Sequence, residues 1–383
     1  MKLLSVFGTR PEAVKMAPVV RMLATEPVVL ARICVTGQHK ELLSTVLRHF
    51  AISPDFDLAL MGSVQSINDL AARAIDRIDK LLIREAPDRV IVQGDTTSAM
   101  AAALAAGNRR IPVAHIEAGL RTYSSTGPWP EEANRRTIAL HADLHFAPTA
   151  AAKANLAAER LHGEVFVTGN SGIDALHWVR DRLARDPELR ATIDAALPQP
   201  SGKKIVLVTA HRRESFGAPL HGICEAVDAI ARRGDVDILW PLHPNPAVRD
   251  PVRAALRGQP AVRLIEPLDL PGFVRLMQRA DLIFTDSGGV QEEATIVKRP
   301  VVIVRNSTER PEILGTFAHL VAVGPEIGAT ARRLLVDVVG QVAQEVLDQS
   351  LAAQRGDDAA QSLPTRTRHR SPPCAFRIRG ASP

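Results

Sequence analysis

The sequence predicts an α/β protein made of two doubly wound, Rossmann-like domains, and three observations carry that reading. Short apolar runs recur along the chain, and each is followed by a polar, glycine-containing break and then by apolar residues at helical spacing. That is the rhythm of buried parallel strands joined by crossover helices. It fills both halves of a chain of 383 residues, long enough for two domains of ordinary size. The polar loops fall after the strands, so both domains are expected to converge on a ligand cleft between them. The expected division is 1–170, 171–340 and a divergent basic tail, 341–383, with the stretch from Asn170 to Gly202 carrying the crossing.

The elements follow in order. Leu3 to Phe7 is a nearly continuous apolar run that ends in Gly8, Thr9 and Arg10. Pro11 then sits well as an opening residue of a helix carrying Val14, Ala17, Val20 and Leu23, with Arg10 and Lys15 toward the crevice. Arg32 to Val35 reads as a strand, followed by a helix through Leu42, Leu43, Val46, Leu47 and Phe50. Ile67 to Ile83 has helical spacing, and Arg89 to Val92 is a strand ending in Gln93, Gly94 and Asp95. Asp95 fits the N-cap of the Ala-rich helix from Thr97 to Ala106, a role that does not exclude catalysis. Ile111 to His115 ends in Ile116, Glu117, Ala118 and Gly119, and a turn-rich loop leads through Glu131 into another helix. There the helix dipole alone would favour an acid. Leu144 to Ala147 and Val165 to Thr168 complete the first sheet.

The second half repeats the architecture with a different sequence. Lys204 to Thr209 runs into His211, Arg212 and Arg213; Val236 to Trp240 precedes His243; and Val262 to Ile265 precedes a helix with Phe273 and Leu276. The run Asp281 to Phe284 opens onto Thr285, Asp286, Ser287, Gly288, Gly289 and a helical pattern containing Glu293. Two glycines let the backbone approach a ligand closely, and the first helical turn offers free N–H groups and the positive dipole end. Such a turn suits a diphosphate, with Glu293 placed to accept from a ribose diol. An ordinary helix capped by Ser287 has the same local pattern. Val301 to Val304 and a loop containing Arg310 follow.

Composition excludes several classes. With 46% hydrophobic and 23% charged residues the chain is that of a globular protein, while 4% aromatics and one Tyr leave no stacking surface for single-stranded nucleic acid. The formal charge of +5 resides mostly in the stretch from Ala353 to Pro383, where Arg355, Arg366, Arg368, Arg370, Arg377 and Arg379 face only Asp357 and Asp358. A solvated end explains that better than a nucleic-acid arm. Cys34, Cys224 and Cys374 are widely spaced and unpatterned, as expected of reduced thiols in a cytoplasm. No run suggests a signal peptide or a membrane span. His141 and His145 lie four apart, but the helical pattern ends between them, so a zinc site is not expected.

Arg10, Asp95, Glu117, His211, Ser287 and Arg310 all fall just past the carboxyl end of an expected strand, which together points to one ligand crevice. With Gly8-Thr9-Arg10-Pro11-Glu12-Ala13, Gly94-Asp95-Thr96-Thr97, Glu117-Ala118-Gly119-Leu120-Arg121, the run from Pro128 to Arg135, His211 to Ser215, Thr285 to Ala294 and Thr308 to Glu312, the chain resembles the non-hydrolysing UDP-N-acetylglucosamine 2-epimerases from Met1 to about Leu335. The resemblance implies a GT-B-like pair of Rossmann-type domains with the active site in the interdomain cleft. It also implies interconversion of UDP-GlcNAc and UDP-ManNAc with no cofactor, and a cytoplasmic homodimer serving polysaccharide biosynthesis. Asp95, Glu117, Glu131 and His211 would be catalytic, with the acid and base roles of the carboxylates unassigned. Arg10, Lys15, Phe273, Ser287, Gly288, Gly289, Glu293 and Arg310 would bind substrate.

A second UDP-GlcNAc acting as activator would meet Gln38, Gln65, Arg212 and His243, although Val64 and Leu268 stand where the family often has Arg and Gln. The tail lacks the family's closing segment and is expected to be partly disordered, with lower stability or activity as the consequence. A hydrolysing 2-epimerase, a glycosyltransferase of related fold and an inactive UDP-sugar-binding homologue are the rival expectations.

Overall fold

A computed structural model describes residues 1–37, 40–60, 64–124, 128–199, 201–210, 216–304 and 318–321. The described chain divides into two units, one of Met1–Ala175 and one that begins at Leu176. The tail 341–383 lies outside the described residues.

The first unit opens with β1 (Lys2–Phe7), α1 (Arg10–Leu23), β2 (Leu30–Val35), α2 (Lys40–His49) and β3 (Phe56–Asp57). It continues through α3 (Ile67–Glu85), β4 (Arg89–Gln93), α4 (Thr97–Asn108), β5 (Val113–Ile116) and α5 (Glu131–His141). β6 (Leu144–Ala147), α6 (Ala150–Ala158) and β7 (Glu164–Val167) complete it. α7 (Ser171–Arg185) runs across the division and α8 (Pro187–Ala196) follows. The second unit then has β8 (Lys204–Thr209), α9 (Ala218–Ala231), β9 (Val236–Pro241), α10 (Pro246–Ala255) and β10 (Val262–Ile265). Last come α11 (Leu270–Arg279), β11 (Leu282–Thr285), α12 (Gly288–Ile296), β12 (Val301–Val304) and β13 (Ala318–Val321).

Both sheets are parallel and share one winding order. The first runs β3-β2-β1-β4-β5-β6-β7 and the second β10-β9-β8-β11-β12-β13. In each, the chain works outward from its first strand, returns past it and continues the other way. The loops leaving the two strands at that reversal, β1 beside β4 and β8 beside β11, part to opposite faces and open a crevice at the carboxyl ends. The four strands at the reversals are mostly apolar and buried on both sides, as with Leu4, Val6 and Phe7 in β1 and Leu282, Ile283 and Phe284 in β11.

The helices close over these sheets for legible reasons. α4 is half alanine and is buried nearly all round, because side chains this small let it lie close to β4 and between α3 and α5. α3 buries Leu70, Ala74, Ile78, Leu81 and Leu82, a single helical stripe, starts at the Ser66 cap and stops where Ala86 turns left-handed. α1 begins with a reciprocal cap: the Glu12 N–H donates to Thr9 Oγ1, and Glu12 Oε2 accepts from the Thr9 N–H at 2.7 Å.

One expectation is corrected. The N-cap of α4 is Thr96, whose hydroxyl accepts from the Ala99 N–H at 3.1 Å, and not Asp95. A threonine in the capping position leaves the preceding carboxylate free for other work. β3 and β13, respectively two and four residues long, were not expected. No helix among the described residues is long and apolar enough to cross a membrane.

Gly119, in the loop after β5, has φ +86°, and a Cβ there would stand 2.2 Å from the Ala152 carbonyl oxygen in α6. Both the conformation and the space demand glycine. Gly119→Ala is expected to lower unfolding free energy by about 2–4 kcal/mol, read by denaturant titration. A loss below about 0.5 kcal/mol would mean that loop and helix separate freely.

Candidate active site

The reversal edge of the first unit gathers acid and base groups from four loops or helix starts. Glu12, at the start of α1, is 1% exposed and accepts from the Gly8 and Thr9 N–H groups and from the Thr96 hydroxyl at 2.6 Å. Burial pushes its carboxyl up, and these hydrogen bonds oppose the shift. Glu12 thereby ties the Arg10 loop to the Asp95 loop. Arg10 itself is half-buried as the first residue of α1.

Glu117 leaves β5 in the left-handed region at φ 63°, a conformation that costs a non-glycine residue about 1–3 kcal/mol. Side-chain contacts hold it there. The Lys15 ammonium donates to both carboxylate oxygens at 2.6 Å, and the Gln93 amide donates to Oε2. A carboxylate turned out of the sheet at such cost, and then gripped by a lysine and an amide, is a placed group.

Asp95 sits beside it. One third of its side chain remains exposed, yet the carboxyl is pushed up to about 6. Burial is the largest cause; Arg135 opposes it, Glu117 and Glu131 reinforce it, and Lys15 opposes it. The three carboxylates expected to be catalytic therefore share one electrostatic environment. A carboxyl titrating near 6 can hold or release a proton close to neutral pH. Below the cluster, the buried His115 is held down to about 3, chiefly by burial, and stays neutral; its Nε2 meets the Gly94 carbonyl oxygen at 2.7 Å, so this nitrogen carries the proton and donates. Glu131 opens α5 and is half-buried.

In the second unit the Thr209 and Thr285 hydroxyls, last in β8 and β11, are hydrogen-bonded at 2.7 Å and join the two strand ends at the reversal. The Thr285 hydroxyl also accepts from the Ser287 N–H at 3.0 Å, and the buried Asp286 donates its N–H to the Thr209 carbonyl. These bonds set the turn that starts α12 at Gly288. Gly289 is exposed, and a Cβ there would meet nothing nearer than a Glu293 carboxylate oxygen at 3.9 Å. The protein's own packing thus does not require glycine at 289, whereas an anion drawn close to the bare helix start would. Glu293 is half-buried one turn on, and Phe273 is half-buried on α11.

His211, Arg310, Gln38 and Arg212 lie outside the described residues. Of the other activator candidates, Gln65 is exposed ahead of α3 in the first unit, and His243 is exposed after β9 in the second. Val64 packs against the apolar core of the first unit, and Leu268 is half-buried. No group of three or more metal-ligating side chains occurs among the described residues. Cys34 and Cys224 are buried with thiols pushed up to about 12, which removes both as nucleophiles. Sequence reasoning missed Arg135, Glu132 and Asn134, three polar residues of α5 that are 8%, 6% and 6% exposed. The signal available was their place inside the motif that also carries Glu131.

Two parallel, doubly wound units with their polar loops at the reversal edges define the GT-B-like class. Comparison with known proteins narrows this. The UDP-N-acetylglucosamine 2-epimerase family profile matches residues 21–352. The UDP-N-acetylglucosamine 2-epimerase of Escherichia coli strain K12 is 48% identical over 343 residues, 88% of this chain and 91% of that protein. The Yersinia pestis enzyme is 46% identical over the same length, with the same coverage. The crystal structure of the Neisseria meningitidis UDP-GlcNAc 2-epimerase bound to UDP-GlcNAc aligns with TM-score 0.82 and 39% identity, covering 91% of this chain and 94% of that one. The chain belongs to the UDP-N-acetylglucosamine 2-epimerase family.

Because Asp95 is raised in the folded protein, its proton favours folding below the ordinary carboxyl range near pH 4, and that contribution disappears as pH rises through about 6. Asp95→Asn, neutral throughout, is expected to stabilise the protein by about 1 kcal/mol near pH 7.5, discounted for the exposed third of the side chain, and by nothing near pH 4. Thermal unfolding at both pH values checks this. Equal effects at the two would contradict it.

Proposed function

We propose that this protein interconverts UDP-GlcNAc and UDP-ManNAc as a non-hydrolysing isomerase that uses no nicotinamide. The observation that carries the reading is the cluster of Asp95, Glu117 and Glu131 with Lys15 at the first unit's reversal edge. The names of the relatives supply the substrate.

The hydrogen at C2 of the sugar is barely acidic, since no carbonyl adjoins it. Elimination answers that difficulty. The C2–H bond breaks with its proton passing to a carboxylate, and the electron pair forms the C1–C2 double bond of 2-acetamidoglucal. The C1–O bond breaks as the double bond forms, and UDP leaves with the electron pair of that C–O bond. Protonation of C2 on the opposite face and re-addition of UDP at C1 give the epimer. Acid and base groups on two faces of the hexose are needed, together with cations and N–H donors for the departing diphosphate.

In this reading Asp95, Glu117 and Glu131 handle the protons. Arg10, Lys15, His211, Arg310 and the N–H groups from Ser287 to Gly289 hold the diphosphate, His211 assists departure of UDP, Glu293 accepts from the ribose, and Phe273 lines the nucleotide. Lys15 binds Glu117 in the present structure. Its passage to the diphosphate would unmask that carboxylate as substrate arrives. A second UDP-GlcNAc as activator, a homodimer and a cytoplasmic setting belong to the same reading, on the strength of the family resemblance alone.

Incubation with UDP-GlcNAc in D2O, with no added nicotinamide, is expected to yield UDP-ManNAc with solvent deuterium at C2. Free ManNAc with UDP would instead favour the hydrolysing reading, and recovery of unlabelled substrate would reject catalysis. Started from UDP-ManNAc alone, the same assay is expected to show a lag that trace UDP-GlcNAc removes. Light scattering on that sample is expected to give twice the chain mass.

A further inference from the structure

Arg135 is the costliest side chain in the first unit to explain by packing alone. It lies on α5 one turn before Ile138 and Ala139, both fully buried, and is itself 8% exposed. A guanidinium stays charged at any ordinary pH, and hiding it from water is unfavourable by several kcal/mol unless its donors are matched. The matching here is partial. Nη1 is 3.5 Å from Asp95 Oδ2 and Nε is 3.2 Å from Glu132 Oε2, both as ion pairs, while Nε and Nη2 are shielded from solvent with no hydrogen-bond partner among the described residues. An apolar residue would satisfy the helix face at lower cost.

Its two carboxylate neighbours explain what the charge does. Glu132, 6% exposed, accepts from the Thr122 N–H at 3.1 Å, the Thr122 hydroxyl at 3.2 Å and the Tyr123 N–H at 3.2 Å, so it anchors the first half of the loop after β5 that begins at Glu117. Asp95 belongs to the loop after β4, and Asn134, next to Arg135, donates to the Asp95 carbonyl at 2.9 Å. Main chain and side chain of Asp95 are therefore both addressed from one turn of α5.

We propose that Arg135 is a positioning residue of this site, held by Glu132 and holding Asp95, so that one guanidinium ties the proton-handling carboxyl after β4 to the loop after β5. Its charge works against the burial and the two like charges that face Asp95. The charged groups around that carboxyl are Lys15 from α1, Glu117 after β5, and Glu131 and Arg135 from α5; of these Arg135 contributes most. Without it, Asp95 keeps its proton to higher pH, and the balance needed for proton transfer near neutrality is lost.

The assignment of Asp95 to proton transfer rests on the function proposed above, but the claim about Arg135 is readable without turnover. The Asp95 carboxyl is followed by NMR in full-length protein with 13C-labelled aspartate, its signal identified by absence in Asp95→Asn. In Arg135→Gln the midpoint is expected to rise by about one pH unit or more above that of the unaltered protein. In Arg135→Lys, which keeps the charge, it is expected to stay within about half a unit. Epimerisation kcat/KM should fall at least about tenfold in the Gln variant, with the limb of the pH profile that reports Asp95 moving in step with the NMR midpoint. An Asp95 midpoint in Arg135→Gln equal to that of the unaltered protein overturns the proposal, whether or not activity falls. Should Arg135→Gln fail to fold, Glu132→Gln gives the guanidinium to Asp95 undivided, and the midpoint is then expected to drop. An unmoved midpoint in that variant overturns the proposal equally.

Discussion

Parallel pairing imposes the constraint from which the rest follows. When every strand of a sheet runs the same way, each must be followed by a crossover, and all polar loops leaving the carboxyl ends are delivered to one edge. The winding order then decides where along that edge a ligand can sit, because only at the reversal do neighbouring loops part. In the first unit the reversal lies between β1 and β4, and its two loops carry Arg10 and Asp95. In the second it lies between β8 and β11, where the Thr209–Thr285 hydroxyl bond fixes the turn into α12. The two sheets share no strand, yet each offers its chemistry at the corresponding place.

At the first of these places several individually unfavourable features meet. Glu117 occupies left-handed backbone space, Asp95 is partly desolvated beside two other acids, and Arg135 is buried with two donor nitrogens that find no hydrogen-bond partner among the described residues. Each feature is unfavourable alone. Together they oppose one another: Lys15 and Gln93 hold the strained Glu117, and Arg135 limits how far Asp95 is pushed. The outcome is a carboxyl pushed up to about 6, the range that general acid–base chemistry at neutral pH uses.

Much of this was legible in the sequence, for a definite reason. A strand buried on both faces must be apolar, so Leu3 to Phe7 and Asp281 to Phe284 announce themselves, and the polar residues immediately after them stand out. What was illegible depended on distance or on choice between neighbours. Asp95 and Thr96 are both good N-caps, and local pattern cannot say which one the helix uses; the structure gives the cap to Thr96. The grip of Lys15 on Glu117 joins residues far apart in sequence, and β3, only two residues long, is too short to have a period. Arg135 was overlooked because an Arg on a helix is normally solvent-facing, and only the buried phase of α5 shows otherwise.

The central claim is that the carboxylates gathered after β4 and β5 act on the hexose of a nucleotide sugar. A crystal structure of the Asp95→Asn variant with UDP-GlcNAc tests it most directly, since on the proposed function the variant should let the substrate persist. The result expected is the C2 and C1 atoms of the sugar against position 95, Glu117 and Glu131. A nucleotide sugar whose hexose lies away from that cluster, with the three carboxylates facing only solvent, would contradict it.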